Sequence, residues 1–150
     1  MKYFAVLATL AASALAQSIN IASPAANSTV YRGEWLMVEV DKPDSLTGST
    51  EVALVLSLAH CPSEGCAATF DPATAAVGQV LYNGPYSPQY HPETGGGRPP
   101  YQNFSVPLPA SLVPGDQVAL IATHVDLVGA GPFANLETKF VPLTVVQGYY

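Results

Sequence analysis

From residue 19 onward the apolar residues of this 150-residue chain recur at alternate positions and nowhere sustain a helical period. That property excludes helical bundles and α/β layers, because both need amphipathic helices to cover a core. Leu36, Val38 and Val40 alternate with Met37, Glu39 and Asp41, the pattern of a strand with one buried face. Val52, Leu54, Leu56 and Leu58 alternate with Ala53, Val55, Ser57 and Ala59. Both faces are apolar there, so this strand is expected at the centre of a sheet. Gln117 to Leu127 is a second run of that kind. Shorter candidates are Ile19 with Ile21, Val30 with Tyr31, Val77 to Tyr82, Phe104 to Leu108, and Val141 to Val145. Pro107 and Pro142 push the last two toward edges or bulges, since proline cannot donate to a ladder.

Seven or eight short strands punctuated by Gly, Pro, Asn and Ser point to a single antiparallel β-sandwich, immunoglobulin-like in arrangement, with a jelly roll or small barrel as the alternative. The Cys…Trp…Cys framework of antibody domains is missing, because the lone Trp35 precedes both cysteines. Ahead of the strands, Lys2, an apolar run from Phe4 to Leu15 and the small-x-small triplet Ala14-Leu15-Ala16 make residues 1–16 an expected signal peptide, leaving 17–150 as one domain. The run is too short for a spanning helix, which needs about 20 residues, and the last residues, Gln147 to Tyr150, carry no apolar tail for a lipid anchor. The expected localisation is therefore secreted and extracellular. A formal net charge of −6, with Arg32, Lys42, Arg98 and Lys139 scattered, argues against nucleic acid and anionic membrane as partners.

Cys61 and Cys66 are the only cysteines. In an oxidising compartment, with Pro62 and Gly65 between them, they are expected to close as a disulfide that pins a loop. Secretion would also make Asn27-Ser28-Thr29 and Asn103-Phe104-Ser105 usable glycosylation sites, with Asn103 turned away from the core by the alternation around Phe104.

One segment breaks the strand spacing. Residues 83–101 hold five prolines, the Gly95-Gly96-Gly97 run, and Tyr86, Tyr90 and Tyr101. Tyrosines on a proline-stiffened loop offer large contact area at low entropic cost. Tyr82, Tyr86, Tyr90, His91 and Tyr101 are accordingly the candidate interaction surface, the alternative being a lid whose tyrosines pack onto the sandwich.

Catalytic and metal chemistry find little support. His60, His91 and His124 lack ligand spacing, and an antiparallel pairing of 51–59 with 117–127 would separate His60 from His124. Glu39 with Asp41, and His124 with Asp126, share strand faces at a separation that could serve a glycosidase, but alternating polar residues on an outer sheet face are ordinarily solvated. No Gly-x-Ser-x-Gly elbow or phosphate loop is present. The expectation is a monomer without cofactor, metal or enzymatic activity.

The stretches Pro43 to Ala53, Leu81 to Tyr86, Asn103 to Val106 and Leu127 to Pro132 resemble the necrosis-inducing secreted protein family of fungi. The resemblance spans nearly the whole mature chain, through turns and strand edges. It implies a small non-enzymatic effector that induces host cell death or suppresses immunity by binding receptor-associated kinases. The residues themselves leave two classes open: an effector that binds a host or cell-surface protein, and a cell-wall or carbohydrate-associated module that binds polysaccharide.

Overall fold

A computed structural model describes residues 18–63, 65–66, 70–92 and 97–148; the expected signal peptide lies outside them. Eight strands follow in chain order: β1 (Asn20–Ser23), β2 (Thr29–Tyr31), β3 (Trp35–Asp41), β4 (Ser49–His60), β5 (Gln79–Gly84), β6 (Tyr101–Pro107), β7 (Gln117–Val128) and β8 (Phe133–Val146). They form a three-stranded sheet ordered β1-β3-β6 and a five-stranded sheet ordered β2-β8-β7-β4-β5. Only β4–β5 and β7–β8 are neighbours both in sequence and in one sheet, and β2 alone runs parallel to its partner, β8. This crossing between two facing sheets is the immunoglobulin-like β-sandwich.

The two-sided apolar runs occupy the places their composition demands. β7 lies between β8 and β4, and β4 between β7 and β5. Their inner faces supply Leu54, Leu56, Leu58, Val118, Leu120 and Ala122 to a core completed by Val38, Val40, Phe104 and Val106 of the opposite sheet. The outer face of β7 is buried as well at Ala119 and Ile121. Ala119 and Ile121 pack with Ala59, Cys66, Phe70 and Phe140 beneath the segment that follows β4. Cys61 and Cys66 are joined there in a disulfide.

The alternation fails at two places, each with a local cause. A β-bulge between Glu51 and Ala53 sets two steps of β4 against one of β7. It reverses the phase. Val52 therefore stands half-exposed, contrary to its expected place with Leu54, and Glu51 turns inward. β8 is nearly three times the expected length, beginning at Phe133 rather than near Val141, because Phe133 to Phe140 pair with β7 through a polar sequence that shows no apolar alternation. Pro142 sits inside this strand without breaking the ladder. Thr144 N donates toward Ser28 O of the β2 side, so the missing N–H of Pro142, two residues earlier, faces the same flank before β2 has begun.

Candidate functional site

The inner face of β7 continues Val118, Leu120 and Ala122 with His124 and Asp126, both fully buried. Alternating polar residues are ordinarily expected on a solvated outer face; the phase of β7 puts this pair between the sheets. Lys42, one residue past β3, reaches across from the opposite sheet. Its Nζ lies 3.0 Å from Asp126 Oδ2 and 3.3 Å from Glu51 Oε1. Asn135 Nδ2 donates to the other Asp126 oxygen at 2.9 Å. His124 is held from both sides, with Nε2 against Glu51 Oε2 and Nδ1 3.2 Å from Glu137 Oε1. Only the doubly protonated imidazolium can donate to two carboxylates at once.

Burial opposes the charge on His124, yet the hydrogen bonds to Glu137 and Glu51 outweigh it and raise the pKa above the ordinary 6.5. Burial likewise opposes the charged carboxylates. The His124 hydrogen bond holds Glu51 and Glu137 below their usual range, and Asn135 and Lys42 do the same for Asp126. Glu137 also accepts from Ile19 N at 2.7 Å and Ser18 Oγ at 2.9 Å, tying the entry to β1 into the network.

Glu51, His124 and Asp126 present ligand atoms within 4.8 Å of one another, a spacing a metal ion could use. The Lys42 ammonium already supplies the positive charge between two of them, and both ring nitrogens of His124 are committed to carboxylates. The cluster is a polar plug closing one end of the apolar core. His60 is exposed and faces Asp116 at 3.7 Å, opposite Val118, whereas His124 is opposite Leu54. His91 lies in the loop, so the three histidines share no site.

That loop divides into an inward anchor and an outward surface. Tyr86, expected on the interaction surface, is only 2 % exposed. Its ring meets His124 edge-on at 5.4 Å, and its hydroxyl donates to Val40 O at 3.1 Å. Burial first, then the charges of Glu51, Asp41 and Glu137, raises its pKa. Tyr82 belongs to β5, half-buried against Phe104 with ring centroids 4.7 Å apart. Neither ring is available as a free anchor: Tyr86 packs onto the sandwich as a lid residue would, and Tyr82 lies in β5, outside the loop.

Of the remainder, Tyr90 and Arg98 face out, while His91 and Tyr101 are half-buried. Gln89 and Tyr101 exchange backbone hydrogen bonds of 2.9 and 3.0 Å, pairing the loop to the edge of β6. Tyr90 is 68 % exposed and donates its hydroxyl to Asp44 Oδ1 at 2.8 Å. His91 stacks on Tyr101 at 3.8 Å with planes 4° apart. Arg98 Nη2 donates to Glu39 Oε1 at 3.0 Å. Beside it, burial and the neighbouring Glu39 charge raise the Asp41 carboxyl. Glu39 and Asp41 thus lie under the loop margin, one of them paired to a cation. Asn103 is exposed, as the alternation required, and so is Asn27, which adopts a positive φ of 65° in the turn before β2.

A separate cleft of about 630 Å³ opens between the segment after β4 and the turn after β6, lined by Leu58, Phe70, Pro109, Leu112 and Val118 with Asp71 and Gln79. None of the candidate loop residues lines it.

The profile of the Nis1 family matches residues 14–144 of the chain. Among solved structures, the fibronectin(III)-like modules of Clostridium thermocellum CbhA align over 88 % of this chain and 100 % of theirs, at 12 % identity and a TM-score of 0.42. No curated protein matches the chain.

Proposed function

Because the chain belongs to the Nis1 family, we propose that it is a secreted, effector-like protein that acts by binding a host or cell-surface protein and not by catalysis. The single observation that carries this reading is the split character of the described parts of the 83–101 loop, residues 83–92 and 97–101. Tyr86 fixes its backbone to the core, Tyr82 of β5 donates to Pro85 O, and Tyr90 and Arg98 are presented outward on that frame beside the half-buried His91–Tyr101 stack. A binding surface already ordered in the free protein loses less entropy on association. Against the catalytic alternative, both ring nitrogens of the buried His124 are already bonded to the Glu51 and Glu137 carboxylates.

The Cys61–Cys66 disulfide fits an oxidising extracellular setting, and no helix among the described residues is long and apolar enough to cross a membrane. The finer roles, induction of cell death or suppression of immunity through a receptor-associated kinase, are those the family resemblance implies. Affinity capture from host-cell extract with wild-type protein and with the Tyr90→Ala/His91→Ala variant tests the reading. Specific capture that the double variant loses supports it. Retention on insoluble polysaccharide with no protein captured would favour the carbohydrate-associated module.

A further inference from the structure

β3 turns Trp35, Met37, Glu39 and Asp41 outward, and the register sets Pro107, Ser105, Asn103 and Tyr101 of β6 opposite them on the same face. One end of this face is occupied. Arg98 bonds Glu39, and His91 covers Tyr101. The other end is open and apolar, with Trp35 71 % and Met37 54 % exposed and Pro107 and Ser105 of β6 opposite them. An indole this exposed on a flat sheet invites a covering group. Asn103 stands at the boundary, exposed, opposite Glu39 and one diagonal step of about 7–8 Å from Met37. It heads the sequon Asn103-Phe104-Ser105, whose middle residue is buried, so both polar members are turned onto the Trp35 face.

We propose that Asn103 carries an N-linked glycan whose core sugars lie over Ser105 and Met37 and stack on the Trp35 indole. The donor class is a polyisoprenyl-diphosphate oligosaccharide. Asn103 Nδ2 bonds to the anomeric carbon of the sugar, the bond from that carbon to the diphosphate oxygen breaks, and one amide proton leaves to balance the released lipid diphosphate. The direction of the attached chain follows from the face itself. Toward Tyr101 it meets Arg98 and His91; toward Trp35 it meets apolar surface, and the C–H face of a pyranose complements the electron-rich face of an indole. Asn27 sits beside β2 at the edge of the other sheet, away from this face.

Trp35 is the single tryptophan, so its fluorescence reports on this face alone. The full chain, secreted from a glycosylating eukaryotic host, is compared before and after enzymatic release of N-glycans, alongside Asn103→Gln and Asn27→Gln. The expected result is a glycan mapped to Asn103 by peptide mass. Glycan release or Asn103→Gln should then shift Trp35 emission to longer wavelength and increase its quenching by acrylamide, with Asn27→Gln leaving both as in wild type. An unmodified Asn103, or an occupied Asn103 whose removal leaves Trp35 emission and quenching unchanged, would overturn the proposal.

Discussion

Replacing Lys42 with Met removes the cation from the polar plug while keeping a side chain of similar length. Asp126, with no exposed surface, would keep only the Asn135 amide, and Glu51 would keep His124 and Ser49. Breaking a buried pair from one side costs about 3–5 kcal/mol, because the remaining charge is left desolvated. At about 3–5 °C per kcal/mol for a domain of this size, the melting temperature should fall by roughly 10–20 °C. Two further measurements separate this cause from general damage to packing. Lys42→Met/Asp126→Asn should recover at least half of the loss, since a neutral pair in the same volume leaves no orphan charge. The deficit of the single variant should also shrink as pH is lowered through the carboxylate range, where protonation neutralises Asp126. A Lys42→Met protein melting within about 2 °C of wild type, or a double variant no better than the single one, would show that no orphaned charge limits the variant's stability.

Thermal stability should peak in mildly acid solution. The raised His124 pKa contributes stability that is complete below 6.5 and lost as pH rises through the folded value, and His124→Gln should flatten that limb of the profile. On the acid side, the depressed pKa values of Glu51, Glu137 and Asp126 contribute stability lost as pH falls below 4.5 and 3.8. Asp41, raised by burial, opposes this limb without cancelling three carboxylates. Tyr86→Ala should destabilise by about 3–5 kcal/mol, as loss of a buried aromatic does, whereas Tyr90→Ala should leave the melting temperature unchanged; equal effects would dissolve the division between anchor and surface. Gly78, at φ +70°, passes directly over the Leu58 carbonyl, which an added Cβ would strike, so Gly78→Ala should be among the least stable single variants by thermal melting. Cys61→Ser/Cys66→Ser should cost roughly 2 kcal/mol by removing a short loop closure, with limited proteolysis expected first in the segment that the disulfide pins.

The architecture was legible because alternation records which strand faces are wet. Val118, Leu120 and Val38 announce their strands, and the doubled apolar runs mark β4 and β7 as interior strands. The site was less legible. Glu51 reads as outward until the bulge at Val52 shifts the phase, and a bulge has no apolar signature. Glu137 and Asn135 lie in the half of β8 whose residues are polar, so neither was placed near His124. The phase of β7 did carry the signal. Positions 124 and 126 continue 118, 120 and 122, so charged side chains there had to be either buried and paired or mispredicted in strand length. Tyr86 and Tyr90 show the same limit within the loop, being alike in type and neighbourhood and separated only by tertiary contact.

The proposed binding of a protein partner by the outward face of the loop is read out by the affinity of the captured partner for wild-type protein and for Tyr90→Ala/His91→Ala, each checked for an unchanged melting temperature. Binding should weaken by roughly ten-fold or more, as loss of aromatic anchors at an interface produces. Equal affinity in a variant that remains fully folded would contradict it and remove the loop from the binding surface.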